Sequence, residues 1–144
     1  MATSFRGFSA QCGAVHFCAI QQIYSTREID MPYVTIGDVL VRGKPRYGAS
    51  YQKLKQAKRH GLGKNENIDC HVWLTFPDMT IFDLTLGVGL AYEREKVLVD
   101  EQKDCCVIWG KPEELLKKNG LDYRPYLVGH LFLFQSGMLE PTIL

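Results

Sequence analysis

No stretch of the chain approaches the roughly 18 consecutive apolar residues that a membrane-spanning helix requires. The opening residues MATSFRGFSAQ also lack an apolar run of signal-peptide length. The expectation is a protein that is neither inserted in a membrane nor carried by a secretory leader. Acidic residues are missing altogether between Asp38 and Glu66, where Arg42, Lys44, Arg46, Lys53, Lys55, Lys58, Arg59 and Lys64 supply every charge. The middle of the chain is thus a basic island, although the net charge is only +1.

A disulfide framework is missing too. The 5 cysteines, at positions 12, 18, 70, 105 and 106, form an odd set, and adjacent Cys105 and Cys106 rarely bridge each other on geometric grounds. Reduced thiols in the cytoplasm fit this usage best. Cys70, Cys105, Cys106 and His130 could be imagined around a metal ion, but the CxxC-type spacing of structural zinc sites is absent, so no metal site is expected. There is no glycine loop to cradle a phosphate, and no RNP-like or OB-like pattern accompanies the aromatic run LFLFQ. Nucleic acid is not an expected partner, and the lysines and arginines around Tyr47 and Tyr51 read first as a solvated helix face.

What remains is the balance of an ordinary globular domain: 144 residues, 46% hydrophobic and 23% charged, without repeats or an interdomain linker. Residues 1–144 are read as one domain. From Ser9, SAQCGAVHFCAIQQIYST has helical spacing, with Val15, Cys18, Ala19, Gln22 and Ile23 on one face. YVTIGDVLV favours a strand, which Gly37 could bend or break. After the turn residues GKPRYG, ASYQKLKQAKRHG predicts a helix with Tyr51, Leu54 and Ala57 inward and a stop at Gly61. CHVWLTF and TIFDLTL, separated by Pro77, Asp78 and Met79, predict a hairpin. CCVIW reads as a further strand, PEELLKK as a short helix opened by Pro112 and closed at Asn119 and Gly120, and YLVGHLFLF as a buried strand. An opening helix followed mainly by strands indicates α+β rather than alternating βαβ units.

Three residues offer the parts of nucleophilic cysteine catalysis, which needs a thiolate, a base that shares its proton, and a group that orients the imidazole. Cys12 is expected in the first turn of the opening helix, where free N–H groups and the helix dipole lower a thiol pKa. Its own N–H could serve an oxyanion hole, with the second donor unassigned. His71 begins one hairpin strand and Asp83 falls late on the next, so a turn centred near residue 77 makes them near-opposite neighbours on one face. Taken alone, Cys12 would read as a small core residue, because free cysteine is among the most buried residue types. Its company sets it apart. Cys70 should point to the opposite strand face from His71, Cys18 reads as core, and His16, one turn after Cys12, lacks an orienting carboxylate.

A helix-start cysteine, then HVW, then an aspartate on the following strand resembles the papain-like and transglutaminase-like cysteine-nucleophile superfamily. The resemblance covers residues 9–24 and 70–86, without a GxCW-like motif at Cys12 or a glutamine several residues upstream. It implies a papain-like core with the nucleophile helix packed on an antiparallel sheet, catalytic roles for Cys12, His71 and Asp83, and no cofactor. Gln11, Gly13 and Trp73 are the matching candidates for substrate binding, and the implied substrate is a peptide or protein. Lys53, Lys55, Lys58 and Arg59 form a candidate surface for an acidic partner. The competing expectation is a non-enzymatic protein or nucleic-acid binding module, or a pseudoenzyme of the same fold, that uses the basic segment 42–64 and in which all three residues are structural.

Overall fold

The computed structural model describes residues 8–26, 30–61, 69–93 and 107–136. Helix α1 (Phe8–Thr26) is followed by β1 (Tyr33–Val41), the short β2 (Lys44–Pro45), α2 (Tyr51–His60), β3 (His71–Thr75) and β4 (Ile81–Asp83). Then come α3 (Leu86–Glu93), β5 (Ile108–Gly110), α4 (Pro112–Asn119), β6 (Leu121–Val128) and α5 (Leu131–Gln135). The strands form one curled sheet, in which every pairing is antiparallel, with order β2-β1-β3-β4-β5 and β6 joined to β1. The fold is therefore α+β, an N-terminal helix against an antiparallel sheet. No helix among the described residues is long and apolar enough to cross a membrane.

Strand β1 is the sheet's backbone because its sequence buries both faces, from Val34 through Val39. Gly37 sits at its middle for a steric reason: a Cβ there would lie 1.9 Å from the Arg124 carbonyl oxygen. The register of β1 against β6 shifts at Ile36/Gly37, and Pro125 of β6 falls opposite the glycine. A proline cannot donate to the ladder, so the irregularity and the proline belong together. The strand thus continues through Gly37 instead of ending there.

Alternation along β3 divides the core in two. Val72 and Leu74 join Val34 and Ile36 in a cluster closed by Cys12 of α1, Leu54 and Ala57 of α2, and Phe132 and Leu133 of α5. Trp73 faces the other way, against Val39, Ile81, Leu86, Ile108, Leu115, Leu121 and Tyr123. Each fully buried leucine or isoleucine contributes roughly 1.5–3 kcal/mol over its exposed state. Helix α2 follows its sequence: Ser50 Oγ accepts from the Lys53 N–H, and the Gly61 N–H reaches back to the Ala57 carbonyl. Helix α4 starts at Pro112 and ends on Gly120 in the left-handed conformation.

Several sequence expectations are corrected. YLVGHLFLF is not one strand: β6 ends at Val128, Gly129 takes φ 110°, and α5 follows. An apolar run of that length fits a strand or a buried helical turn equally, and the glycine decides between them. TIFDLTL stops being a strand at Asp83, whose carboxylate captures the next N–H groups and opens α3. The inward face of α1 carries Cys12, His16, Ala19, Ile20 and Ile23, whereas Cys18 is exposed and Val15 largely so. Tyr51 also points outward. Cys105 and Cys106 lie outside the described residues.

Candidate active site

The β3–β4 hairpin brings His71 and Asp83 together, though not in the expected register. Leu74 pairs with Phe82 and Thr75 with Ile81, and the Phe76 N–H donates to the Thr80 carbonyl across the turn. The turn is therefore centred on Asp78, one residue later than the sequence suggested, and Asp83 falls level with Trp73. A displacement of two positions keeps the side chains on the same face. Asp83 reaches His71 diagonally, within the range of cross-strand partners. His71 Nε2–H donates to Asp83 Oδ2 over 2.6 Å, with both residues almost wholly buried.

Asp83 is held from several sides. The Tyr123 hydroxyl donates to Oδ2 at 2.8 Å, and the N–H groups of Thr85 and Leu86 each donate to Oδ1 at 3.0 Å. One oxygen thus opens α3, and the other grips the imidazole. Burial alone would raise its pKa, but the charge and hydrogen bond of His71 reverse this and hold Asp83 well below the ordinary carboxylate range.

His71 titrates in the opposite sense. Burial lowers its pKa, yet the Asp83 charge and hydrogen bond, reinforced by Cys12, raise it from 6.5 to about 10. Nδ1 is buried with no hydrogen bond of standard geometry. Nε2 is committed to Asp83, and the nearby Cys12 adds to the upward shift of His71 through hydrogen bonding and charge. Asp83 therefore fixes the imidazole through Nε2 and leaves Nδ1 as the ring nitrogen not committed to it.

Cys12 is the fifth residue of α1, two residues deeper than expected and past its first turn. Its N–H falls past the free donors of a helix N-terminus, so it belongs to the helical ladder and cannot serve an oxyanion hole. The thiol is only 2% exposed and packs beside Leu54, Ala57 and Cys70. Cys70 lies on the face away from His71, where burial raises its thiol pKa strongly.

Three further side chains complete the site; of these, only His16 was weighed for the site from sequence, and it was set aside. Tyr47 lies flat on the His71 ring, 4.9 Å between centroids and 6° between planes. Its loop is clamped by the buried Asp38, whose carboxylate accepts from the N–H groups of Val39, Tyr47 and Ala49. Tyr123 arrives from β6, forty residues beyond Asp83. His16, set aside in the sequence for want of an orienting group, is fully buried: its Nδ1 meets the Cys12 carbonyl at 2.7 Å, and the Leu84 N–H donates to Nε2 at 3.0 Å. The i, i+4 spacing from Cys12 was the available signal. Tyr47, Asp38 and Tyr123 had no local one.

Among the candidate substrate-binding residues, Gly13 is buried beside Cys12, and the side chain of Gln11 lies outside the described residues. Trp73 is buried, its ring 5.9 Å from that of His71. It forms a wall, with Tyr123, of an apolar cavity of about 360 Å³ that extends past Thr35, Thr75, Phe76 and Met79. Lys53, Lys55, Lys58 and Arg59 are exposed on α2. No group of histidine, cysteine or acidic side chains among the described residues is arranged to hold a metal ion. His130 packs instead against Phe17 and Phe134.

Comparison with known proteins gives no match to a protein-family model, a curated protein or a solved structure.

Proposed function

We propose that the chain is a cysteine-nucleophile acyl-transfer enzyme with a papain-like or transglutaminase-like core, acting on an amide or isopeptide bond of a peptide or protein. The supporting observation is the buried imidazole of His71, tied through Nε2 to Asp83 at 2.6 Å and raised in pKa by the nearby Cys12. In this reading Cys12 and His71 rest as a thiolate–imidazolium pair, the thiol proton held on the imidazole, and the thiolate attacks the acyl carbon. The tetrahedral intermediate collapses with cleavage of the C–N bond, and the imidazolium protonates the departing amine. Water or a second amine, deprotonated by His71, then attacks the thioester and releases Cys12. Asp83 remains ionised throughout and stabilises the imidazolium, which the flat Tyr47 ring also favours. Hydrolysis, glutamine deamidation and acyl transfer share these steps. The exposed cations Lys53, Lys55, Lys58 and Arg59 suit an acidic segment of the partner.

The test is the pH dependence of iodoacetamide alkylation at each cysteine, read by peptide mass spectrometry in the native protein, His71→Ala and Asp83→Asn. The thiolate ultraviolet absorbance, compared with Cys12→Ser, reads ionisation without requiring reagent entry. The thiolate signal and alkylation assigned to Cys12 should both be lost in His71→Ala. Ionisation of Cys12 that is indifferent to His71 would overturn the enzyme reading. One observation favours the rival: Cys12 is nearly inaccessible within an apolar cluster, as a purely structural thiol would be. A non-enzymatic module or pseudoenzyme would then use the basic face of α2, and salt-dependent binding that survives Cys12→Ala would mark it.

A further inference from the structure

Asp83 stands between two buried histidines, and they are held in opposite ways. His71 donates to Oδ2 at 2.6 Å, whereas His16 Nε2 is 3.8 Å from Oδ1, beyond hydrogen-bond range. The Oδ1 atom already accepts the Thr85 and Leu86 N–H groups. The partners of His16 are both backbone groups, and neither can change its role. The Cys12 carbonyl can only accept, so Nδ1 must carry the proton; the Leu84 N–H can only donate, so Nε2 must be bare. One imidazole meets both demands in a single form, the neutral Nδ1–H tautomer. A second proton would set an N–H against the Leu84 N–H.

We propose that His16 is a positioning residue, a neutral strut that ties the carbonyl of the nucleophile Cys12 to the amide immediately following Asp83. The proposal rests on the reading of Cys12 as nucleophile and deepens it. Helix α1 packs on the sheet through apolar side chains, which resist sliding and rotation only weakly because such contacts are non-directional. The His16 bonds are directional, and they join the two chain segments whose separation sets the approach of thiol to imidazole. The charged and titratable groups facing His16 are Asp83, His71 and Cys12. Burial lowers its pKa more than the Asp83 carboxylate raises it, and the His71 charge lowers it further. The strut therefore stays neutral while its neighbour His71 is charged.

Ring ¹⁵N NMR of the native protein across neutral pH tests the tautomer without any substitution. His16 should carry its proton on Nδ1 and should not titrate near 6.5; an Nε2–H form, or a midpoint near 6.5, overturns the strut. His16→Asn keeps a donor for the Cys12 carbonyl and loses the Leu84 bond, and His16→Gln exchanges the two ends. In either variant, shown by denaturant titration to be folded, Cys12 alkylation should slow on the order of tenfold to a hundredfold and its pH profile should shift upward. The exposed Cys18 should react at an unchanged rate and serves as the internal reference. A folded variant with an unaltered Cys12 rate and profile overturns the role. A native Cys12 indifferent to His71 removes the nucleophile reading itself, which the tautomer measurement does not depend on, so the two failures are distinct.

Discussion

The β3–β4 hairpin carries an ion pair at each end, and the two have little in common beyond charge. At the open end, His71 and Asp83 are 1% and 0% exposed and 2.6 Å apart; at the turn, Lys111 Nζ and Asp78 Oδ2 are 41% and 63% exposed and 3.1 Å apart. The buried pair raises the base to about 10 and depresses the acid, while the pKa of Asp78, lowered to about 2, owes most to the Thr80 backbone N–H and less to Lys111. Burial removes the competing water and leaves each partner dependent on the other. A charge pair at a surface is dispensable, whereas one in the core either is fully satisfied or destabilises the fold. The open end is the place where chemistry can be stored, since His71 there is held in one orientation with one nitrogen in reserve.

The largest effect should come from breaking the buried pair. Asp83→Ala strands the His71 cation, the Tyr123 hydroxyl and the Thr85 and Leu86 N–H groups together. A loss on the order of 3–5 kcal/mol is expected, the range for a buried pair deprived of one member. Asp83→Asn should lose less, because its amide oxygen can still accept at the start of α3. Guanidinium denaturation of the two variants measures both. A loss below about 1 kcal/mol in Asp83→Ala would mean that water reaches the site and that the contrast between the hairpin ends is illusory.

The next effect is graded by pH, and its sign follows from His71. Its folded pKa lies above the ordinary 6.5, at about 10, so the pair's contribution is complete below pH 6.5 and is lost as pH rises toward about 10. Asp83 is shifted downward, so its share of the same interaction is present above the ordinary carboxylate range and lost only as acid protonates it. Denaturation midpoints of the native protein should fall through the alkaline window. Other groups titrate there as well, and Asp83→Asn supplies the reference: its midpoint should fall less steeply over the same range. Parallel slopes would dissociate His71 from the pH dependence.

How much of this was legible in the sequence differs along the same hairpin. Its existence, the shared face of His71 and Asp83, and the opposite face of Cys70 follow from alternation around Pro77, Asp78 and Met79. The exact partner did not follow, because the turn residues fix the register only to within a residue or two. Helix α1 was legible as a helix, but its rotation was not: a stripe through Val15 and Cys18 has spacing as good as the true one through Cys12 and His16. Only the sheet it packs on decides between them. Tyr123 and Tyr47 became part of the site through the pairing of β6 with β1 and through the Asp38 clamp, both set by tertiary geometry. Gly129 was the missed local signal, a single residue that separates β6 from α5.

The smallest effect should come from the turn, and it separates the two jobs of Asp78. Its carboxylate accepts the Thr80 N–H at 3.0 Å as well as pairing with Lys111, whose ammonium also donates to the Asp78 carbonyl. Between Asp78 and Thr80 lies Met79 with φ 74°, a left-handed conformation that a non-glycine residue adopts only when its surroundings hold it there. Lys111→Ala removes a solvent-screened partner and should leave the denaturation midpoint nearly unchanged at any salt concentration. Asp78→Ala also removes the acceptor that closes the turn around Met79, so it should destabilise more than Lys111→Ala and still far less than Asp83→Ala. Equal effects of the two substitutions would make the ion pair, rather than the turn bond, the reason for an aspartate at this position. A Lys111→Ala loss approaching that of Asp83→Ala would dissolve the distinction between the hairpin's two ends.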